Sequence, residues 1–567
     1  MKNCQNCKKD FTIEPEDFLF YEKIKVPPPT FCPECRTIRR MTWRNERSLF
    51  KRNCDYSVES IITMFHPEVN VKVYDRDIWW TDKWDPTEYG VDYDFTKPFF
   101  EQYKDLLSKV PLLNLGNNLC VNSLYGNHNA DCKNCYLVYA SFLTEDTSYA
   151  QGAVSIKNCM DIYSLQKSEN CYGSLLCDTL YNTHFSYNTD ECINSYFLKN
   201  CVNCQDCIGC INLRNRKYCI WNVQYTKENY LIEKDKFNFG SYSFLLDFKE
   251  KYKDFVLKYP HKYANIIKSI DSIGDNITNS KNVKYSFDVY DSMEDSKYVI
   301  HGITAKDSYD MYGFGGGASL MYEGVDSGLK GSSILFGVLT HSCLNTHYTY
   351  MCFNSKNLFG CIGIRKGEYC ILNKKYTKEE YEILIPKIIK HMSDMPYIDF
   401  KGRIYKYGEF FPSELSPFAY NETIAQEYFP KNFKDIIDSG NLYRRSLDRN
   451  YKITISSDKL QDDIKNVDEK IMNDIISCPN KGSELTQCTE AYKITKEEFD
   501  FLKRHNIALP RYCPNCRHYE RLSKRNPMKL WHRSCMKEGC TNTFETSYSP
   551  DRPEIVYCEK CYQNEVY

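Results

Sequence analysis

The chain has 567 residues, which is long enough for several folded units with cores of their own. Its 74 basic and 75 acidic residues balance, so net charge alone excludes a general affinity for nucleic acids or membranes. No run of about 18 apolar residues occurs, and a membrane-spanning helix is not expected.

Cysteine usage indicates the compartment. The chain holds 29 cysteines and has no apolar stretch after Met1 that resembles a signal peptide. Disulfides persist in oxidising compartments, so this pattern is typical of metal ligands and buried thiols in a reducing cytoplasm. We expect a soluble, cytoplasmic protein without a membrane partner.

The N-terminal segment carries two closely spaced cysteine pairs. Cys4 and Cys7 form the first pair, and Cys32 and Cys35 form the second. Four thiolates at this spacing suit tetrahedral zinc and leave no open coordination position for a substrate. The segment therefore predicts a structural zinc site.

A similar sequence is repeated near the C-terminus at a constant offset of 481 positions, as from Cys32 to Cys513. The offset places Cys7 on Cys488, but it places Cys4 on a leucine. We therefore expect Cys478 to reach in from a longer loop as the fourth ligand. The predicted second zinc site consists of Cys478, Cys488, Cys513 and Cys516.

A third site is predicted immediately after the second. Its ligands are Cys535, Cys540, Cys558 and Cys561, in the arrangement of a zinc ribbon. The N-terminal copy of this unit retains only Cys54 and has Asp75 where the C-terminal copy has Cys558. We interpret that copy as metal-free, with aromatic burial replacing coordination. The aromatic residues are Trp79, Trp80 and Trp84.

Each Cys-Pro-x-Cys pair is followed by arginines four residues apart, which lie on one face of a helix. Such guanidinium groups bind phosphates by charge and by paired hydrogen bonds. The alternative is structural: arginines stabilise the negative four-thiolate site or pair with Glu34, Glu46 or Glu520. The candidate nucleic-acid-binding residues are Arg36, Arg40, Arg44, Arg517, Arg521 and Arg525.

The middle of the chain repeats every twelve residues. Nine consecutive rows begin with Asn, Asp or, in the last row, Tyr, and the next residue is Ser, Cys or Thr. Asn and Asp tolerate the left-handed backbone of a corner, and small residues suit an inward stack. The pattern predicts a parallel β-solenoid. A weaker period of 24, marked by Tyr139, Tyr163 and Tyr187, predicts two half-turns per coil.

A second, less regular array follows from Asp295, with a two-residue slip before Asn345. Its end matches that of the first array at an offset of 151 positions, as from Cys210 to Cys361. Thr226 and Thr377 then have the position of helix N-caps. We expect each following helix to cover the last rung of its array.

Four cysteines, Cys201, Cys204, Cys207 and Cys210, lie three residues apart inside the first array. This spacing permits an iron–sulfur or zinc site. The repeat offers the alternative that they are buried thiols stacked on inward tracks, since free cysteine packs as a small hydrophobe. We favour the stacked thiols.

Signals for catalysis are weak. Asp178 and Asp190 are one repeat apart, as a carbohydrate-active β-helix enzyme would require of paired carboxylates. His341 and His347 flank Cys343, but no acid that would orient a histidine can be named. The run of three glycines at 315–317 lacks the lysine of a phosphate-binding loop. We predict no catalytic residues.

The terminal text resembles a family of uncharacterised bacterial zinc-ribbon proteins. The resemblance rests on Cys513-Pro-Asn-Cys-Arg-His-Tyr-Glu-Arg, on Glu554-Ile-Val-Tyr-Cys-Glu-Lys-Cys-Tyr and on the tryptophan-rich stretch around Trp80 and Trp84. It spans nearly the whole chain. It implies zinc binding, whereas the class III CoA-transferase label carried by some relatives has no support in these residues.

The sequence thus predicts a mainly β fold: two tandem parallel β-solenoid (β-helix-like) arrays with 12-residue half-rungs, helical caps or connectors, and treble-clef or zinc-ribbon modules at both termini. The expected segments are a zinc module (1–56), a metal-free ribbon-like and Trp-rich linker (57–112), the first solenoid (113–225), a helical cap (226–280), the second solenoid (281–375), a helical connector (376–477), a second zinc module (478–534) and a C-terminal zinc ribbon (535–567).

The predicted function is that of a non-catalytic scaffold with three structural Zn²⁺ ions. Its arginine-lined helices would bind RNA or DNA. Two alternatives stay open: a scaffold for protein assembly, and a polysaccharide lyase or hydrolase. No small-molecule substrate is indicated.

Overall fold

The computed structural model describes residues 1–445 and 450–566, and it is mainly β with a long β-solenoid. Its helices are α1 (Pro15–Lys23), α2 (Pro33–Met41), α3 (Arg76–Trp79), α4 (Phe99–Leu107), α5 (Lys227–Lys234), α6 (Tyr242–Val256), α7 (Lys378–Asp394), α8 (Ile424–Tyr428), α9 (Phe433–Asp438), α10 (Lys496–Arg504), α11 (Pro514–Ser523) and α12 (Glu559–Val566). Among the described residues, no helix combines the length and apolar character that crossing a bilayer requires.

Most strands are short and belong either to terminal hairpins or to the solenoid. In chain order they are β1 (Lys2–Asn3), β2 (Asp10–Phe11), β3 (Phe50–Asn53), β4 (Ser60–Thr63), β5 (Val73–Tyr74), β6 (Leu112–Leu113), β7 (Tyr136–Tyr139), β8 (Ser148–Gln151), β9 (Met160–Gln166), β10 (Leu175–Asp178), β11 (Tyr196–Lys199), β12 (Gln205–Ile211), β13 (Lys217–Ile220), β14 (Val223–Gln224), β15 (His261–Lys262), β16 (Ile266–Ile267), β17 (Ile273–Thr278), β18 (Lys281–Asp291), β19 (Glu294–Val325), β20 (Ser332–Val338), β21 (Leu344–Tyr350), β22 (Lys356–Phe359), β23 (Glu368–Ile371), β24 (Lys374–Lys375), β25 (Tyr397–Ile398), β26 (Ile404–Tyr405), β27 (Ile476–Ser477), β28 (Ala491–Tyr492), β29 (Trp531–Ser534), β30 (Thr543–Thr546) and β31 (Val556–Tyr557).

Parallel pairing in residues 118–220, here called the first ladder, joins each residue to the one twelve positions on. Tyr136 pairs with Ser148, and Ser148 pairs with Met160. Twelve residues therefore complete one full turn of the solenoid, and the predicted 12-residue half-rung is wrong.

The corners of the coil explain its small size. From His128 to Tyr218 every third residue has a positive φ angle, so twelve residues contain four corners. Asn122, Asn134 and Asp146 have φ angles of 49°, 53° and 49°, as predicted for corner residues. The coil is therefore a narrow four-sided tube with three residues on each side.

The residue after each corner points into the lumen of the tube, and its side chain completes the hydrogen bonding. Ser186 Oγ donates to the carbonyl of His184, and it accepts the N–H of Leu198 from the next coil, both at 3.3 Å. Cys192 does the same between the Asp190 carbonyl and the Cys204 N–H. The lumen is rich in Ser, Thr and Cys because these side chains are small and satisfy backbone groups that the ladder leaves unpaired.

The second ladder (residues 266–371) begins earlier than the predicted boundary at 281, because β16 and β17 already pair in parallel. Its coils are uneven. Ile266 pairs with Ile277, Lys281 with Glu294, and Ser332 with Leu344, at spacings of 11, 13 and 12 residues. The extra residues are therefore distributed among several coils and not concentrated in one two-residue slip.

Both ladders end in an antiparallel hairpin followed by a helix; the sequence predicted the helix but not the hairpin. β13 pairs with β14, and β23 pairs with β24. Thr226 and Thr377 cap α5 and α7 by accepting the N–H of Asn229 and Glu380. The predicted helical connector 376–477 is helical mainly in α7; later residues form short helices, turns and the β25–β26 hairpin.

The terminal modules are joined to the ladders crosswise. β5 of the N-terminal module pairs with β6, just before the first ladder, whereas helix α2 packs on β19 of the second ladder. β31 of the C-terminal module pairs with β15, just before the second ladder, whereas α11 packs on β9 of the first. Each module therefore packs a helix on one ladder and pairs a strand with the segment that leads into the other.

Candidate metal centres and the arginine-lined helices

The first tetracysteine group is built from a hairpin turn and a helix start. Cys4 and Cys7 lie between β1 and β2, Cys32 is the N-cap of α2, and Cys35 lies in its first turn. Cys7 and Cys32 sulfurs are 3.7 Å apart, and the N–H of Cys32 donates to Cys4 Sγ at 3.2 Å. The helix N-terminus thus adds donors and a positive dipole end to a group of anionic ligands.

The second group repeats this construction with a longer loop. Cys478 and Cys488 lie between β27 and β28, and Cys513 and Cys516 begin α11. The Cys513 N–H donates to Cys478 Sγ at 3.4 Å, which is the contact that Cys32 makes with Cys4. Cys478 therefore occupies the position of Cys4, as the sequence predicts.

The third group also follows this plan. Cys535 and Cys540 lie in the β29–β30 turn, Cys558 precedes α12, and Cys561 lies within it. Cys540 and Cys558 sulfurs are 3.9 Å apart, and the N–H of Cys558 donates to Cys535 Sγ at 3.3 Å. A hairpin pair and a helix pair again converge.

These three groups fit a tetrahedral metal ion. All ligand atoms in each group lie within 4.8 Å of one another. Tetrahedral zinc with Zn–S bonds of about 2.3 Å places its sulfurs about 3.8 Å apart. The nearest sulfur pairs in these groups, such as Cys7–Cys32 and Cys540–Cys558, are 3.7–4.0 Å apart. Although burial opposes ionisation, hydrogen bonds from Asn542 and Cys561 lower the pKa of Cys558 to about 6. Cys558 could therefore bind a metal ion as the thiolate.

A fourth unit has the same shape without the ligands. Cys54 lies at the β3–β4 turn, and Asp75 stands at the helix N-cap that cysteine occupies in the other units. The Asp75 carboxylate accepts the N–H of Asp77 at 2.9 Å, so it caps α3. Trp79 and Trp84 are buried nearby, but Trp80 is 43 % exposed. Helix capping and two of the three tryptophans thus hold this unit.

The arginines of α2 are buried against carboxylates of the second ladder. Arg36 lies 2.9 Å from Asp310, and Arg40 lies 3.0 Å from Asp310 and 3.2 Å from Glu323. Arg44 follows the helix and pairs with Asp326 and Glu46. A further arginine that sequence analysis missed, Arg39, bridges Glu323 and Glu409.

Arg517 and Arg521 of α11 contact Asp161 on the first ladder, whereas Arg525, which follows the helix, reaches Asp288 on the second. Arg517 lies 3.2 Å from Asp161 and 2.6 Å from Glu498, and Arg521 lies 2.8 Å from Asp161. Arg525 donates to the Tyr163 hydroxyl at 3.1 Å and lies 3.6 Å from Asp288.

All six candidate phosphate-binding arginines are therefore occupied within the chain. Their side chains are at most 7 % exposed. Burial opposes the charge of Arg36, and Asp310 more than compensates, so the pKa of Arg36 lies well above its usual value. In this conformation Arg36, Arg40, Arg44, Arg517, Arg521 and Arg525 do not present guanidinium groups to phosphates, which corrects that assignment.

The alternative prediction, that the arginines have a structural role, agrees with these contacts, but most of their partners differ from those predicted. Arg44 does pair with Glu46, but most partners are ladder carboxylates hundreds of positions away. Asp161 and Asp310 are 149 positions apart, close to the offset between the two arrays. That near-repeat of acidic residues is the signal that could have revealed the pairing.

The four cysteines spaced by three occupy consecutive luminal positions of the first ladder. Cys201, Cys204, Cys207 and Cys210 are at most 1 % exposed, and each thiol donates to the carbonyl two residues before it. Among the described residues they do not form a group whose ligand atoms all lie within 4.8 Å. They are stacked buried thiols in this structure.

The residues considered for catalysis lie apart from any deep cleft that the structure describes. Asp178 and Asp190 stack on adjacent coils, and burial together with the charge of Asp178 raises the pKa of Asp190 to about 7. Burial raises the pKa of Cys343 to about 12 and lowers that of His347 to about 4. Neither histidine therefore lies beside a ready nucleophile.

The described part of the chain has shallow hollows, two of which lie near residues considered above. An open one of about 490 Å³ lies beside Cys478, between residues 453–458 and 477–490. A second of about 10 Å³, enough for one water molecule, lies between Arg44, His128 and Asp326. Neither contains the Asp178–Asp190 pair.

No protein-family model matches the chain, and no curated protein matches it. The resemblance to bacterial zinc-ribbon proteins therefore stays a prediction.

Proposed function

We propose that the protein is a non-catalytic scaffold that organises a protein partner, in which zinc modules fasten two tandem solenoid arrays side by side. The observation that carries the proposal is the burial of the helix arginines against ladder carboxylates, because it gives these helices a structural task. Nucleic-acid binding through the same arginines would require them to leave buried ion pairs, which costs several kcal/mol for each.

Zinc is the metal that best suits the three tetracysteine groups. Four thiolates at tetrahedral spacing form a closed site, typical of structural zinc in treble-clef and zinc-ribbon modules. Each such site organises a helix start, and the next turns of α2 and α11 carry the arginines. Zinc binding would thus position the ion pairs that join modules to ladders. No disulfide joins the cysteines that the structure describes, which suits a reducing cytoplasm.

The partner surface in this proposal is the open start of the first ladder. Large apolar side chains are exposed on its first coils, more than isolated surface hydrophobes would explain. We call this group the first-coil patch; it consists of Leu119, Val121, Leu124, Tyr125, Tyr136, Phe142 and Leu143. A protein surface with matching apolar residues would bury it, whereas the phosphates of a nucleic acid would not.

Metal analysis tests the zinc part of the proposal. Purified protein should contain three zinc ions per chain, and C516S should contain two. A matched control is C159S, which removes a luminal thiol outside the three groups and should keep three zinc ions. Protein without zinc, or with cysteines paired as disulfides, would overturn the proposal.

Photocrosslinking tests the partner. A photoreactive residue at Leu124 (74 % exposed) should give protein adducts in cells, unchanged by nuclease. The same residue at Val223, apolar and 56 % exposed at the other end of the ladder, is the control and should not give those adducts. Nuclease-sensitive adducts, or identical adducts from both positions, would contradict a protein partner at this patch.

A further inference from the structure

The first coil of the first ladder carries a row of backbone groups without hydrogen-bond partners. Within residues 1–445 and 450–566, no hydrogen bond reaches the N–H groups of Leu119 and Asn122 or the carbonyl groups of Cys120 and Ser123. Along the chain these groups alternate as donor, acceptor, donor and acceptor. Leu119 and Asn122 are exposed, so the row lies at the protein surface. We call these four groups the open row.

The corresponding groups one coil later are paired. The N–H of Asp131 donates to the Asn118 carbonyl at 3.0 Å, and the Cys132 carbonyl accepts the N–H of Val121 at 2.9 Å. At the opposite end of this ladder, β14 pairs with β13, and α5 follows. The open row is therefore an uncovered edge of the ladder, and such an edge is a template for a further strand.

The next side of the first coil is already closed. The Asn127 carboxamide accepts the N–H of Gly116 and donates to the carbonyl of Asn45 in the N-terminal module, both at 2.9 Å. A complete coil from a second copy of the chain would collide with this module. The open row covers only residues 119–123, so it suits one extended segment and not a closed coil.

The side chains beside the open row indicate what such a segment would carry. Leu119, Val121 and Leu124 are 67 %, 62 % and 74 % exposed, which favours apolar residues in the segment. The carboxamide of Asn122 donates to Asn134 Oδ1 at 3.0 Å. Its own oxygen accepts no hydrogen bond from the described residues, so an asparagine placed over Asn122 would extend this row of carboxamides.

We infer that the open row binds an extended segment of the partner protein, which adds to the first ladder as one further parallel strand. Two N–H groups of the segment would donate to the Cys120 and Ser123 carbonyls. Two of its carbonyls would accept the N–H groups of Leu119 and Asn122. In this mode of recognition, backbone hydrogen bonds provide affinity and the flanking side chains provide specificity. The inference rests on the proposed protein partner and names backbone pairing as the means of its recognition.

The second coil of the ladder supplies a probe for the test. The probe is a labelled peptide that copies residues 130–137 with the C132S and C135S changes, and it retains the asparagine of position 134. N-methylation at positions 133 and 136 removes the two N–H groups that would donate to the open row. The control peptide is N-methylated at positions 132 and 135, where N–H groups point away from the row, as the Cys135 N–H points to Ser123 Oγ of the preceding coil.

Fluorescence anisotropy with the full-length protein measures the affinities of the three peptides. Methylation at positions 133 and 136 should weaken binding by about tenfold or more, because two hydrogen bonds are lost, whereas the control should bind nearly as well as the unmethylated peptide. Bound peptide should also slow amide hydrogen exchange at Leu119 and Asn122.

Three results would overturn the inference: no detectable binding of the unmethylated peptide, equal binding of the two methylated peptides, or unchanged exchange at Leu119 and Asn122. A first coil covered by a second copy of the chain in solution would overturn it as well. If protein adducts at Leu124 persist while methylation has no effect, this inference fails alone. If those adducts are absent, the proposed partner fails first.

Discussion

At the scale of single residues, buried charge is the main feature of this molecule. Asp310 and Glu323 are fully buried, and each is neutralised by arginines from a zinc-anchored helix. A buried ion pair is weak evidence for added stability, but removing one partner leaves an uncompensated charge in the interior. The arginines therefore help to hold the zinc modules in place, although their spacing in the sequence suggested an exposed, charged helix face.

Replacing Arg40 should expose this dependence. R40M leaves Asp310 and Glu323 short of a partner and should destabilise the fold by about 3–5 kcal/mol. K157M removes an exposed pair with Glu145 and should cost less than about 1 kcal/mol. Urea unfolding followed by fluorescence measures both. Equal midpoints for the two variants would contradict the structural task assigned to Arg40.

Asp190 should make stability depend on pH. Its pKa is raised to about 7 in the folded chain from a usual value of 3.8, because burial and the charge of Asp178 disfavour its ionised form. Between these values the folded state binds more protons than the unfolded state, so stability should fall as pH rises from about 4 to 7. D190N should remove this contribution and be more stable than the wild type at pH 8, by roughly 1–3 kcal/mol after allowance for solvent. Thermal unfolding at pH 5 and pH 8 tests this; an unchanged pH dependence would contradict it.

At the scale of elements, the coil is held by luminal side chains as much as by backbone pairing. Ser186 donates to one coil and accepts from the next, so S186A leaves a carbonyl and an N–H without these partners. We expect a loss of about 1–3 kcal/mol in unfolding free energy. S186T keeps the hydroxyl, as Thr183 and Thr189 do at the adjacent luminal positions, and should recover most of the loss. Comparable losses in S186A and S186T would show that packing, and not hydrogen bonding, decides.

The sequence predicted the corners of these elements well and the length of a coil poorly. Asn and Asp report the left-handed corner directly, because that preference is local. The 24-residue tyrosine period arises elsewhere: Tyr139 lies beneath Arg47, Gln151 bonds Glu46, and Tyr163 lies beneath Arg525. These positions face the zinc modules. Their residue types therefore suit the contacts with the modules and do not reflect the length of the coil.

For the candidate sites too, the sequence predicted local features well and features that depend on distant contacts poorly. Cysteine spacing predicted the three tetracysteine groups because each is made within one hairpin and one helix. The spacing of the arginines could not predict that they are buried in ion pairs, since their carboxylate partners lie on ladders far away in the chain. Asp75 shows an intermediate case, in which a lost ligand keeps a local role as helix cap.

At the scale of the whole molecule, the two modules bind the ladders crosswise. Disrupting the first zinc group with C32S should release α2 and increase amide hydrogen exchange in β19 of the second ladder. C513S should release α11 and increase exchange in β9 of the first ladder. Mass spectrometry of the two variants provides reciprocal controls. If each variant loosened the other strand instead, the crosswise arrangement would be wrong.

This crosswise arrangement also sets the order in which the nascent chain can finish folding. Asp161 is translated long before Arg517 and Arg521, which neutralise it and lie hundreds of positions later in the chain. Until then, the flank of the first ladder carries an acidic group that must remain hydrated. The ladder can coil during synthesis, but its acidic flank is neutralised only after α11 has also been translated and has docked.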